Sequence, residues 1–283
     1  MHKTTILFDI GGTKTRVAFS TSGEQLDAVE SFHTPADPKK GIAQLLAVAV
    51  SLTEGVAPTA FVGGIRGVLN EDKTGIEHDA TLEAWIGFDV VAAIQKTYDV
   101  PVTLENDAAL AGLGEATYGA GQGVDLLVYH TISTGVGGVR IDHGMIDASS
   151  AGFEPGHQVL DIDRTILGED IVPTLENLVS GAAVEARVGV KPYDIPQEDV
   201  IWEELAGYLA QGLRNTVLYW SPEAIVLGGS MMIGDPKIPL EAVRKATVAV
   251  LDSFVPCPFI TTAKLGDEAG LYGALALFAA SQN

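Results

Sequence analysis

Cysteine is almost absent from this chain: there is one, Cys257, in 283 residues. That excludes an intrachain disulfide and suits a reducing compartment. Placed between Pro256 and Pro258, it reads as a packing residue without a catalytic role. Basic residues are also scarce, 17 Lys and Arg against 37 Asp and Glu, for a formal net charge of −20. Such a balance opposes nonspecific attraction to nucleic acid or anionic lipid, so neither is an expected partner. Any phosphate site has to be made locally from backbone N–H groups, a lysine and a metal ion. No uninterrupted apolar run reaches the length of about 18 residues needed to span a bilayer. The first apolar run is broken by Asp9 and does not read as a signal peptide, so a cytoplasmic location is the default expectation. Charged residues make up 19 % and hydrophobic ones 47 %, which argues against disorder.

The stretch Thr4 to Ser20, TTILFDIGGTKTRVAFS, is the most informative. Its apolar run reads as a buried strand that Asp9 ends, and Gly11-Gly12-Thr13-Lys14 turn the chain into a second strand. Two glycines remove the Cβ atoms that keep a polyphosphate away from backbone N–H groups, while Thr13 and Lys14 add a hydroxyl and a cation. Asp9, at the mouth of the turn, is suited to hold Mg²⁺ directly or through water. The same pattern also describes an ordinary Gly-Gly hairpin with a surface lysine. A second copy favours the phosphate reading: Leu126 to Ile141, LLVYHTISTGVGGVRI, again runs from an apolar strand through a glycine-rich turn holding Thr134, Gly135 and Gly137. Two such turns facing each other across a cleft can hold a nucleotide's phosphates from both sides.

Two halves that each open with a similar hairpin favour two domains in an α/β chain, residues 1–107 and 108–283. Helical spacing marks residues 41–54, 88–98, 198–221 and 240–254. Residues 100–104 read as a strand delivering Glu105-Asn106-Asp107 to its carboxyl end, directly ahead of an Ala- and Leu-rich helix over 108–118. An acid there lies where open α/β sheets bind ligands. Asn and Asp are equally favoured as helix caps, so spacing alone leaves both roles open. A later strand ends at Gly228-Gly229, where a bare backbone lets a flat adenine approach.

DIGGTKTRVAF and ISTGVGGVRI resemble the two phosphate motifs of the sugar-kinase, actin and heat-shock-chaperone superfamily, and LENDAALAGLGEATYGAG resembles the signature of its ROK sugar kinases. The resemblance covers nearly the whole chain and returns at IVLGG, residues 225–229, which is similar to the adenosine-side motif. It implies two ribonuclease-H-like, actin-like ATPase domains with mixed sheets flanked by helices and a cleft between them, the final helix packing back near the first domain. It also implies ATP and Mg²⁺ as cofactors, a homodimer, and Asp107 as the catalytic residue. Asn106 and the loop at Gly67 would face the sugar. Glu154-Pro155-Gly156-His157 fits the family's Glu-x-Gly-His segment, and Glu176 its Leu-Glu element, so Glu154, His157 and Glu176 join the sugar-binding set. Three departures stand out. Arg66 replaces a proline of the sugar loop, Thr81 stands where an asparagine is expected, and the C-x-C-G-x-x-G-C run of the family's zinc site is missing, which excludes a zinc site of that kind.

The expected activity is glucokinase-like phosphorylation of a hexose 6-hydroxyl, with Asp107 as general base. The nearest alternative is the same chemistry on an N-acetylhexosamine such as N-acetylmannosamine. A sugar-responsive transcriptional regulator is disfavoured because the first hairpin begins at residue 4, leaving no room for a helix-turn-helix. A nonenzymatic ATPase scaffold would have little use for Glu-Asn-Asp together with Glu-x-Gly-His.

Overall fold

The computed structural model describes residues 4–149 and 152–282. The chain divides into two compact units, one comprising Met1–Tyr118, Ala148–Gly152 and Asp267–Asn283, the other Gly119–Asp147 and Phe153–Gly266. The first unit therefore extends past the expected boundary at residue 107, because the helix that follows packs within it.

In the first unit, β1 (Thr5–Ile10) pairs antiparallel with β2 (Lys14–Ser20), which pairs antiparallel with β3 (Ala28–His33). On its other side β1 runs parallel to β4 (Ala60–Ile65), and β4 parallel to β7 (Val102–Asn106). Asp9 does not end its strand. It stays in the ladder opposite Arg16, whose guanidinium makes the acid tolerable there. Helix α1 (Pro38–Leu52) starts earlier than its apolar spacing suggests, because Asp37 accepts from Lys39 N–H and Pro38 presets the first turn. It packs Ile42, Leu45 and Ala49 into a core with Ile6, Phe8, Phe61 and Trp85. The long loop after β4 carries a small ribbon of β5 (Val68–Leu69) and β6 (Ile76–His78), anchored by the buried Trp85, which donates to Pro35 O at 3.1 Å. Helix α2 (Val90–Gln95) then leads to β7 and α3 (Asp107–Tyr118).

The second unit repeats the strand order. β8 (Leu126–Ile132) pairs antiparallel with β9 (Val136–Asp142), β9 with β10 (Met145–Ile146), and β8 parallel with β11 (Ala224–Gly228), which pairs parallel with β12 (Phe259–Thr262). Between β10 and β11 lie α4 (Leu175–Val179), α5 (Gly181–Val188) and α6 (Ile201–Trp220). Ser180 separates α4 from α5, since its side chain accepts from Ala183 N–H and caps the second helix. Trp202, Leu205, Leu209 and Leu213 of α6 join Val128, Ile132, Ile225 and Leu227 in this unit's core. Helices α7 (Ser230–Ile233) and α8 (Leu240–Leu251) connect β11 to β12. The chain then returns to the first unit, where α9 (Ala269–Ala280) packs on α3, β4 and β1.

Candidate active site

In the first unit the expected residues gather at the carboxyl ends of β1, β4 and β7. The chain leaves β4 with Arg66, whose N–H donates to Ile10 O at 2.9 Å, so the loop that follows begins beside the first glycine turn. Gly67 has φ +110°, a conformation that side chains resist, and a Cβ there would meet His78 O at 2.8 Å. Asn106 Nδ2 donates to Gly67 O at 3.0 Å while Asn106 Oδ1 accepts from Ala109 N–H at 3.0 Å. One side chain thus caps α3 and ties the loop to it, satisfying the capping role and the positional one together. Asp107 is the first residue of α3 and its Oδ1 accepts from Ala108 N–H at 2.8 Å. Gly64 lets this helix start approach β4, since a Cβ there would lie 3.2 Å from Asp107 Cα. Burial pushes the Asp107 carboxyl above the usual range, against the lowering effects of Arg66 and the helix N–H groups.

Asp9 is more strongly perturbed, raised to about 7 by burial first and then by the charge of Asp107, with Arg16 opposing. Arg16 reaches Asp9 Oδ2 at 3.5 Å and Asp267 Oδ2 at 2.6 Å. Gly270 of α9 packs directly on the Asp9 carboxylate, its Cβ position lying 3.0 Å from Cγ. At the turn, Gly11 N–H donates to Lys14 O at 3.1 Å, and Thr34 holds it from beneath, Oγ1 donating to Gly11 O at 2.8 Å. Thr13 and Lys14 are exposed. Gly12 is needed for a reason the sequence hid: the Thr81 methyl fills the space of its missing Cβ, 2.5 Å from that position. Asp79 fixes Thr81 there, accepting from Thr81 N–H and Leu82 N–H at 2.6 Å each and from Arg66 Nε at 3.0 Å.

The second unit holds the other expected residues around its own turn. Ser133 N–H donates to Gly135 O at 2.8 Å, and Gly181 N–H, opening α5, donates to Ser133 O at 2.7 Å. Thr134 is exposed at the tip. Glu176 of α4 accepts from Val136 N–H on Oε2 at 2.7 Å, so it braces the turn. Pro155 and Gly156 press the Glu154–His157 segment onto β9, a Cβ on Gly156 meeting Val136 O at 2.3 Å, and leave the Glu154 and His157 side chains exposed. Gly228 lies under Tyr129, whose hydroxyl is 2.4 Å from its Cβ position. Gly229, with φ +83°, turns the end of β11 toward Ser230, whose Oγ is 3.1 Å from Ser133 Oγ. The second turn and the end of β11 are thus adjacent. Gly137 faces Thr131 across the β8–β9 hairpin. Beneath it, the buried His130 bonds Thr216 Oγ1 at 3.0 Å and is pushed down to about 4 by desolvation.

Arg16, Asp79, Gly64, Gly270 and Asp267 escaped the sequence reading. The antiparallel register that pairs residue 9 with residue 16 was a usable signal for the first. Nothing local announces Asp267, which arrives from the far end of the chain. Among the described residues no group of three or more His, Cys, Asp or Glu side chains is arranged to hold a metal ion, and no helix is long and apolar enough to cross a membrane.

The sequence model of the ROK family matches residues 5–281. A relative called fructokinase from Lactococcus lactis subsp. cremoris is 32 % identical over 62 % of this chain and 60 % of its own, so the match spans less than two thirds of that relative. One called N-acetylmannosamine kinase, from Haemophilus influenzae, is 29 % identical over 95 % of this chain and 93 % of its own. The crystal structure of a ROK hexokinase from Thermus thermophilus superposes with a TM-score of 0.83 at 27 % identity, covering 99 % of this chain and all of the other.

Proposed function

Because the chain belongs to the ROK family and is an ATP-dependent sugar kinase, we propose that it transfers the terminal phosphate of ATP to the 6-hydroxyl of a hexose, glucose in the first reading. The observation that carries this is the Asp107 carboxyl at the head of α3, beside Asn106 and the Gly67 loop, with its pKa raised by burial. A sugar hydroxyl is a weak nucleophile, and a carboxylate of raised basicity is suited to take its proton. Asn106, Gly67, Glu154, His157 and Glu176 hold the remaining hydroxyls, because directional donors and acceptors tell one epimer from another. Glu176 Oε2 is committed to Val136, which leaves Oε1 for that purpose.

Gly11, Gly12, Thr13 and Lys14 of the first unit, and Thr134, Gly135 and Gly137 of the second, form the phosphate site: Gly11, its N–H held by Lys14 O, shapes the first turn, and the remaining N–H groups, the hydroxyls and the lysine make the contacts. Gly228 and Gly229 take the adenosine side. Asp9 fits a Mg²⁺ ligand, directly or through water: a carboxylate pressed by Asp107 and Asp267 gains from a cation that offsets their repulsion. When bound, the ion neutralises charge on the phosphates. A homodimer in the cytoplasm completes the proposal.

The relatives named fructokinase and N-acetylmannosamine kinase support second readings with the same chemistry on fructose or on N-acetylmannosamine. Coupled ADP release measured with glucose, mannose, fructose, N-acetylglucosamine and N-acetylmannosamine, with the product's phosphate located by NMR, separates them. One sugar should stimulate turnover strongly and emerge as a 6-phosphate. Release indifferent to all five sugars would contradict the proposal.

A further inference from the structure

We propose that Arg66 is a catalytic cation of the transfer, its guanidinium fixed by Asp79 between the Gly11-Gly12 turn and Asp107 so that it pairs with the phosphoryl group as that group moves to the sugar. The inference rests on the kinase reading above and concerns a residue where this chain departs from its family's sugar loop.

The position follows from three anchors. Its backbone N–H is held by Ile10 O, one residue before the turn. Its stem passes the turn itself, Cδ lying 3.6 Å from the Cβ position of Gly12. Its head is held through Nε by Asp79 Oδ2 at 3.0 Å, and Asp79 is in turn locked by two backbone N–H groups. The Asp79 side chain is 6 % exposed while Arg66 is 30 % exposed, so the anchor is buried and the cation is not. The two terminal amino groups have no partner among the described residues. The same guanidinium is the strongest influence holding the Asp107 carboxyl down, which puts it within electrostatic reach of that carboxylate.

The alternatives nearby are fewer than the composition suggests. Arg16 is committed to Asp9 and Asp267, and Lys14 is exposed at the start of β2. In a chain of net charge −20, a fixed cation beside the turn is therefore distinctive. The chemistry balances without further reactants. The bond from the phosphorus to the ADP oxygen breaks, one to the sugar oxygen forms, and the hydroxyl proton passes to Asp107. Arg66 keeps its proton throughout and offers N–H donors to equatorial oxygens whose charge is spread in the transition state. A purely structural brace would need only the Nε bond to Asp79.

The test compares the parent with Arg66→Ala, Arg66→Lys and Asp79→Asn on the sugar the parent uses. Arg66→Ala should lose about 100-fold or more in kcat, with sugar KM changed less than about threefold. Arg66→Lys should recover part of the loss, and added guanidinium chloride should partly rescue Arg66→Ala. Asp79→Asn, which weakens the anchor without removing the cation, should lower kcat by less than Arg66→Ala does and lower Tm as well. A kcat for Arg66→Ala near the parent's, a loss confined to sugar KM, or a loss in Arg66→Ala that neither Arg66→Lys nor added guanidinium relieves would overturn the proposal. A parent that transfers phosphate to no sugar overturns the kinase reading and this inference with it. An active parent with an unimpaired Arg66→Ala overturns the inference alone.

Discussion

Replacing Asp9 by Asn should make the protein more stable in alkaline buffer and less able to bind nucleotide with Mg²⁺. The Asp9 carboxyl is 13 % exposed and its pKa rises from 3.8 to about 7 on folding. At about 1.36 kcal/mol per pH unit, a rise of that size is worth roughly 4 kcal/mol at most. A folded pKa above the unfolded one means that no penalty exists below pH 3.8, where both states are protonated. It grows between 3.8 and about 7 as only the unfolded chain ionises, and is complete above 7. Asparagine keeps the size and removes the charge, although it also gives up the pairing with Arg16. Urea unfolding of both proteins in EDTA at pH 4.5, 6 and 8.5 measures the difference. The advantage of the variant over the parent should widen with pH and level off above 7. A gap independent of pH, or one that narrows as pH rises, would refute the electrostatic account of this acid.

The buried His130 makes the opposite contribution. With its folded pKa depressed from 6.5 to about 4, its stability is intact above 6.5 and lost as pH falls toward 4, by roughly 3 kcal/mol. The stability difference between the parent and His130→Asn should therefore shrink over that interval, and a constant difference would contradict it. At the helix pair of the first unit, Gly273→Ala would set a Cβ 1.8 Å from Leu110 O. Because that neighbour is backbone, α3 and α9 must move apart, which should cost about 3 kcal/mol and lower Tm by several degrees. An unchanged melting curve would show that the helices do not pack this closely.

Much of the fold was legible because hydrophobic runs and glycine turns are local signals. The two hairpins, α3 directly behind Asn106, and the long α6 lie where the pattern puts them. What failed was also local in cause. Asp9 looked like a strand end because an acid alone is costly in a ladder, yet Arg16 sits opposite and keeps the strand going to Ile10. At the candidate site the sequence named residue types without the reasons for them. Gly12 looked like an opening for phosphate, and in the fold its bareness also admits Thr81. The Arg66–Asp79 pair, formed across a loop, and Asp267, contributed from the far end of the chain, depend on contacts that no window of sequence contains.

The central claim is that the Asp107 carboxylate accepts the proton of the attacking sugar hydroxyl. The most direct measurement is sugar-stimulated ADP release by Asp107→Asn beside the parent, together with nucleotide binding by each. The account predicts that the variant loses the stimulation by about 100-fold or more while binding nucleotide as the parent does. A variant that keeps its sugar-dependent turnover would contradict it.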